Sequence, residues 1–376
     1  MPLARTALLR RLGAWLAPCL VAAGCGNAAL PRDPAKPHHA ADGFRNNYTD
    51  AIDRPFTDLL RWRWNAFRQN LPPPPVQPTE TVAPDLAAIR ANARPEAMQP
   101  AITWIGHATM LVQASGLNVL TDPVFSERAS PFSFVGPQRQ QPPGVALSDL
   151  PPIDVVLISH NHYDHLDLDS VRALSRQPGG GPLFLVPLGL KAWFAEQGIT
   201  RVEELDWWDH HTVHGVAFHL TPVQHWSARG LGDRRRTLWG GWAVLGADFR
   251  WYFSGDTGYS QDFVDTRHRF EGEAPANPAA PWVFDLALIA VGAYEPRWFM
   301  SQQHVNPDEA VRIHRDLRAR RSVGVHWGTF SLTDEPLDQP PRDLATARRA
   351  QGVADDDFSV MKIGETRRLP PRTPSR

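Results

Sequence analysis

Cysteine is almost absent from this 376-residue chain: the only two, Cys19 and Cys25, fall within the first 25 positions. The remainder therefore has no disulfide, no catalytic thiol and no thiolate for a metal, so any metal site must be built from histidine and carboxylate ligands. That donor set favours zinc or another borderline divalent ion over iron–sulfur chemistry. An excess of charge of either sign is also lacking. The 39 basic residues, overwhelmingly arginine and spread along the chain, meet 40 acidic ones for a net charge of −1. Nothing in that balance calls for nucleic acid, and an anionic substrate must be handled locally. There is no internal repeat and no long apolar run, since LGAWLAPCLVAAG is too short to span a bilayer. What is present, 42% hydrophobic and 21% charged residues, is the composition of a globular protein with a substantial core.

The N-terminus reads as a targeting segment, with Arg5, Arg10 and Arg11 ahead of that short apolar core. It ends at Ala22-Ala23-Gly24-Cys25, which resembles the lipobox of bacterial lipoproteins and makes Cys25 the candidate lipid-bearing residue. An ordinary cleaved signal peptide is the other reading. The lipoprotein reading implies a chain anchored by lipid in a bacterial cell envelope, facing a membrane surface. Composition divides the chain into this segment (1–25), a tether (26–45), an extension with a proline-rich linker (46–99), a main domain (100–365) and a flexible tail (366–376). Within the extension, FTDLLRWRWNAFRQN has near-helical spacing of Leu59, Leu60, Trp62, Trp64 and Phe67. It suits a lid, a membrane-facing helix or a helix packed on the main domain. The following LPPPPVQPTETVAP is stiff and cannot continue a helix.

From about residue 100 the texture changes to short β-branched and aromatic runs broken by Gly, Pro and Asp. AITWIGH, ATMLVQA, LNVLTD, VVLIS, LFLVP, VAFHLTPV, GGWAVLG, FRWYFSG, DLALIAV and SVGVH read as strands, with SG turning the second into the third. Helices are expected around LDLDSVRALSRQ and LKAWFAEQG, and from Pro307, with Ala310, Ile313 and Leu317 on one face. Strands with interspersed helices imply an α/β architecture with helix-covered sheets.

One stretch, HNHYDH at 160–165, packs four potential ligands into six residues directly after VVLIS. If the strand continues, His160 and His162 lie on one face roughly 6.6 Å apart and can share an ion. Asp164 and His165 then fall on the next turn, within reach of a second ion. Other histidines and acids also follow apolar strands: His225 after VAFHLTPVQ, Asp256 after FRWYFSG, His326 after SVGV, and Asp122 closing LNVLTD. Functional residues held at strand ends by a rigid sheet are the usual geometry of an active site in α/β proteins. Asp122 is placed to accept a hydrogen bond from a ligand histidine and fix its tautomer.

HNHYDH resembles the HxHxDH signature of the metallo-β-lactamase superfamily, and a histidine, an aspartate and a last histidine follow in that order over roughly residues 100–335. The resemblance implies a four-layer αββα sandwich with a dinuclear metal site at the sheet edge. It implies His160, His162 and His225 on one ion, Asp164, His165 and His326 on a second, and Asp256 bridging. Blocks such as TWIGHATMLVQ, LTDPVFSERASPFSFVGPQR, QHWSARG, SGDTGY, IAVGAYEPRWFM and QHVNPDEAVRIH are similar to the N-acyl-phosphatidylethanolamine-hydrolysing phospholipase D family. That similarity implies two zinc ions, a phospholipid substrate and attack of metal-held hydroxide on phosphorus, releasing N-acylethanolamine and leaving phosphatidic acid. A lactonase similar to the ascorbate-phosphate lactonases and a non-catalytic metal-binding envelope lipoprotein are the competing expectations.

Among the remaining candidates, His304 matches a family histidine thought to contact phosphate, and Tyr163 is placed to orient water or substrate. Arg229 is a candidate phosphate contact, and His107 reads as a structural residue at the site's edge. Trp298, Phe299 and Met300 would line an acyl channel or pack in a core. His210, His211, His214 and His219 lack the strand-end context and read as surface or packing residues. A homodimer is compatible with the sequence; a nucleic-acid partner is not expected.

Overall fold

The structure, a computed structural model, describes residues 33–49, 54–230, 232–272 and 282–372. The targeting segment with Cys25 and the first part of the expected tether lie outside these residues. The N-terminal portion supplies a small ladder, β1 (His39–Ala40) with β2 (Gly43–Phe44), then helices α1 (Phe56–Gln69) and α2 (Leu86–Asn92). An antiparallel meander follows, β3 (Ala101–Gly106), β4 (Thr109–Ala114) and β5 (Leu117–Thr121). Ser115 and Gly116 join β4 to β5 with φ of 53° and 77°, the left-handed pair that a two-residue hairpin matched to strand twist requires. β6 (Val155–Leu157), α3 (Leu168–Ser175), β7 (Leu183–Pro187), α4 (Lys191–Glu196) and β8 (Val202–Leu205) extend the sheet in parallel.

The second half runs β9 (His210–Val213), β10 (Val216–Thr221), β11 (Gly241–Leu245), β12 (Arg250–Phe253), α5 (Asp262–Glu271) and β13 (Leu286–Ala290). It continues through α6 (Arg297–Met300), α7 (Pro307–Asp316), β14 (Ser322–Val325), α8 (Gln339–Gln351), β15 (Phe358–Ser359) and β16 (Thr366–Arg368). Helix α7 begins where the sequence predicts, because Asn306 and Glu309 form a capping box around Pro307. The strands make two seven-stranded sheets, β16-β3-β4-β5-β6-β7-β8 and β15-β14-β13-β12-β11-β10-β9.

Alternation along the strands builds the layers. Met110, Val112, Val119, Val155 and Leu157 enter a large core shared with Phe218, Leu220, Trp242 and Phe253 of the opposite sheet. The intervening Leu111, Leu120 and Val156 enter a second core with Ile89, Val171, Leu174 and Phe194 from α2, α3 and α4. On the other side Phe263, Phe270, Val311, Ile313 and Leu344 of α5, α7 and α8 cover the second sheet. Helix, sheet, sheet, helix is the αββα order that the family resemblance implies.

Two expectations about the chain ends are corrected. Residues 33–45, read as part of a tether, are docked on the body: Phe44 is buried, and Asp206 accepts from Lys36 Nζ at 2.7 Å, His38 Nε2 at 2.7 Å and His39 Nε2 at 2.9 Å. His38, His39 and Asp206 also form a trio of metal-ligand type, but the Lys36 ammonium on the same carboxylate makes it an ion-pair clasp. The tail read as flexible contributes β16, which pairs with the otherwise open edge of β3, and Arg372 Nε reaches Asp285 at 3.1 Å. Among the described residues no helix is long and apolar enough to cross a membrane.

Candidate metal centre

Both sheets deliver side chains to one place. His107 follows β3, Asp122 follows β5 and the HNHYDH loop follows β6. From the other sheet His225 follows β10, Asp256 follows β12 and His326 follows β14. His107, Asp122 and His326 all have left-handed backbones, with φ of 52°, 31° and 64°. Such conformations are held only where the surrounding structure over-determines them.

The HxH pair is not on a strand, as the sequence reading assumed. β6 ends at Leu157, and the next free N–H, that of Ser159, leaves the ladder to donate to Asp122 Oδ1 at 2.7 Å. The loop then closes on itself, with the His165 and Leu166 N–H groups donating to the His162 carbonyl. His160 and His162 are nevertheless brought together, Nε2 facing Nδ1 at 2.8 Å, with His225 Nε2 3.4 Å from the same His162 nitrogen. These three form one ligand group, and His107, Asp164, His165 and His326 form another. Asp256 lies between them. Its Oδ2 is 3.9 Å from His160 Nε2, 3.9 Å from His225 Nε2 and 3.1 Å from His165 Nε2, while Oδ1 is 3.1 Å from His326 Nε2. Asp164 Oδ2 meets His107, His165 and His326 Nε2 at 3.1, 3.4 and 3.3 Å.

In His160, His165 and His225 the outward nitrogen is already bonded, so in the neutral ring the inward one is a lone pair. His165 Nδ1–H donates to Asp122 Oδ2 at 2.6 Å and His225 Nδ1–H to the Gln303 carbonyl at 2.9 Å. Ser159 Oγ spends its proton on Asp122 Oδ2 at 2.6 Å, so at 2.9 Å it accepts from His160 Nδ1. One buried carboxylate, Asp122, thus orients a ring in each group, directly and through Ser159.

Burial pushes the His107, His162, His225 and His304 rings down to about 3, and His160 well below the ordinary range. Neutral imidazoles are the form that binds metal. Burial also opposes charge on His165 and His326, but Asp256 and Asp164 outweigh it, raising His326 to about 9 and His165 well above its usual value. His165 Nε2, Asp256 Oδ1 and His304 Nδ1 are buried close together without a hydrogen-bond partner. Buried polar atoms are nearly always satisfied, and orphans converging on one point fit a cation. Imidazole and carboxylate donors with no sulfur suit a divalent metal of borderline character.

Other candidates take different places. His304 stands at the rim with its Nδ1 3.7 Å from Asp256 Oδ2. Arg229, expected to meet phosphate, instead donates Nη1 to the Asn161 and Leu166 carbonyls at 2.9 and 2.8 Å, pinning the ends of the ligand loop. Tyr163 donates its hydroxyl proton to the Arg229 carbonyl at 3.0 Å, with the guanidinium 4.0 Å over its ring, and so fastens the loop. Phe299 and Met300 are packed with Trp62. His210 stacks on His219 at 4.8 Å, in a β9–β10 ladder that contributes no ligand. His107 belongs to the second ligand group, and its position after an apolar strand was the available signal. Ser159 and Gln303 carried no signal, since their roles depend on partners that the fold brings near.

Comparison with known proteins agrees with this architecture. The family model described as a beta-lactamase superfamily domain matches residues 117–327. A Caenorhabditis elegans protein named N-acyl-phosphatidylethanolamine-hydrolyzing phospholipase D 1 is 44% identical over 276 residues, covering 70% of this chain and 74% of that one. An uncharacterized protein of Mycobacterium tuberculosis is 40% identical over 314 residues, 80% of this chain and 76% of its own. More distant relatives are named as metal-dependent hydrolases. The solved structure of an isothiocyanate hydrolase from Delia radicum gut bacteria covers 72% of this chain and 99% of its own with a TM-score of 0.54, a likeness of fold at 21% identity. With its αββα layers and paired ligand groups, the chain belongs to the metallo-β-lactamase superfamily as a metal-dependent hydrolase, similar to the proteins named N-acyl-phosphatidylethanolamine-hydrolysing phospholipase D.

Proposed function

We propose that this protein is a phosphodiesterase that hydrolyses N-acyl-phosphatidylethanolamine-type phospholipids to N-acylethanolamine and phosphatidic acid, using two zinc ions. The observation that carries this reading is Asp256 standing between two ligand groups, on a chain 44% identical to a protein named for that reaction. His160, His162 and His225 would hold one ion, Asp164, His165 and His326 the other, and Asp256 both. Ions held there would supply Lewis-acid polarisation of a phosphoryl oxygen and a water acidic enough to act as nucleophile at neutral pH.

The chain's own residues do the rest. Asp122, Ser159 and the Gln303 carbonyl fix which nitrogen of His160, His165 and His225 faces inward. Arg229 and Tyr163 keep the ligand loop from opening. His304, neutral and with an unbonded Nδ1 near Asp256, offers a polar contact to a diester oxygen at the rim. In the reaction the phosphorus–oxygen bond to the N-acylethanolamine breaks, one forms to the water oxygen, and a water proton leaves with the alkoxide. A lipid anchor on Cys25, within this proposal, would hold the enzyme at the membrane that carries its substrate.

The test is product identification by mass spectrometry from a membrane lipid extract, before and after chelation and with Asp256→Ala. N-acylethanolamine and phosphatidic acid should appear together and be lost in both controls. Turnover by a metal-free preparation, or far faster hydrolysis of a sugar lactone than of any phosphodiester, would sink the proposal.

A further inference from the structure

One ligand group, His107, Asp164, His165 and His326, has an imidazole more than the ion assigned to it would use. The ring nitrogens divide by what they face. His165 Nε2 lies 3.4 Å from Asp164 Oδ2 and 3.1 Å from Asp256 Oδ2. His326 Nε2 lies 3.3 Å from Asp164 Oδ2 and 3.1 Å from Asp256 Oδ1. An ion between the two carboxylates is within reach of both rings. His107 Nε2 meets only Asp164 of the two, at 3.1 Å. An ionised carboxylate only accepts, so this nitrogen carries the hydrogen and donates it. His107 Nδ1 is then a lone pair, and it is buried without a partner. An orphaned acceptor is better tolerated than an orphaned N–H.

The opposite sheet holds His107 still. Its N–H donates to Thr329 Oγ1 at 2.8 Å, and its carbonyl accepts the His326 N–H and the Trp104 Nε1–H, both at 3.0 Å. The buried ring lies against His326 with centroids 4.0 Å apart and meets Phe330 at 5.2 Å in a T-shaped contact. Asp164 Oδ2 thus faces three imidazole nitrogens. Once the His165 and His326 lone pairs are given to an ion, those two nitrogens cannot donate, and His107 is the donor that remains. We propose that His107 is a positioning residue for one ion of the pair. It holds the Asp164 carboxylate turned towards His165 and His326, and without it that ion is lost while the ion among His160, His162 and His225 stays. The inference rests on the two-ion reading of the centre and is independent of the lipid substrate.

The test compares the full chain with His107→Gln and His107→Leu, each loaded with zinc, freed of excess by gel filtration and analysed for metal per chain. The unsubstituted protein should hold two ions and His107→Leu one. In a competitive chelator titration His107→Leu should bind one ion roughly 10–100-fold more weakly and the other as before. His107→Gln should keep both, because a side-chain amide can donate to Asp164 and is not among the usual zinc ligands. For the same reason its cobalt-loaded form should share the visible spectrum of the unsubstituted protein. A His107→Leu variant that keeps both ions at full affinity would overturn the inference and leave the two-ion reading standing. One that loses both ions, as a residue needed only for folding would, also overturns it. So does a His107→Gln variant that matches His107→Leu or changes the cobalt spectrum, which would make His107 a ligand. An unsubstituted protein that binds a single ion would overturn both readings.

Discussion

Asn46 grips both sides of the peptide at His225: its Oδ1 accepts the His225 N–H at 3.0 Å and its Nδ2 donates to the His225 carbonyl at 3.0 Å. Trp239 Nε1 reaches the same Oδ1 at 3.2 Å. The docked N-terminal segment is therefore part of the support of a candidate metal ligand.

We predict that Asn46→Ala destabilises the fold by about 2–3 kcal/mol, because a buried N–H and a carbonyl lose their partner. It should also weaken metal retention by roughly tenfold. Denaturant unfolding and a competitive metal titration measure the two effects. A stability loss with unchanged metal affinity would show that the grip serves folding alone.

Asp122→Asn keeps the volume but removes the charge that orients His165 and, through Ser159, His160. Metal affinity is predicted to fall by roughly 10–100-fold. Ser159→Ala, which touches only the His160 branch and one Asp122 bond, should have a smaller effect in the same titration. Equal effects from the two variants would contradict this shared anchoring.

Arg229→Ala separates loop support from phosphate binding. Losing two bonds from a guanidinium to the Asn161 and Leu166 carbonyls should cost about 2–3 kcal/mol and lower kcat with KM little changed. A rise in KM at constant kcat and constant stability would restore the phosphate-contact role.

The clasp at Asp206 sets a pH dependence. Burial raises this carboxyl, but hydrogen bonds from His38 and Lys36 outweigh it and hold it below the usual carboxylate range. A depressed carboxylate stabilises above its unfolded value of about 3.9, and that contribution is lost as pH falls below this value towards the folded one. Proteolysis within residues 33–45 should stay slow from neutral pH down to about 4 and accelerate below. In Asp206→Asn it should be fast throughout. A cleavage rate insensitive to that substitution would rule the clasp out.

The sequence was most informative where periodicity and turn chemistry act locally. All ten runs read as strands contain one, the Ser115-Gly116 turn forms, and α7 starts at Pro307. Metal-ligand candidates were legible because each follows an apolar strand. The HxH pair was misplaced by a strand-period argument, since Asp122, 37 residues away from Ser159, takes the N–H that would have continued the ladder. Asn46 is 179 residues from His225, and no local pattern could have announced it. β15 and β16 escaped because two- and three-residue strands carry too little alternation to read.

Candidate ligands arrive from both sheets, so an ion held among them would act as a rivet as well as a reagent. It would tie the β3–β6 half of the chain to the β10–β14 half across the open end of the sandwich. Unfolding would then have to release the metal before the sheets part, and the loaded protein would resist heat and protease chiefly through slower opening. Losing the ion would cost the molecule its durability along with its chemistry.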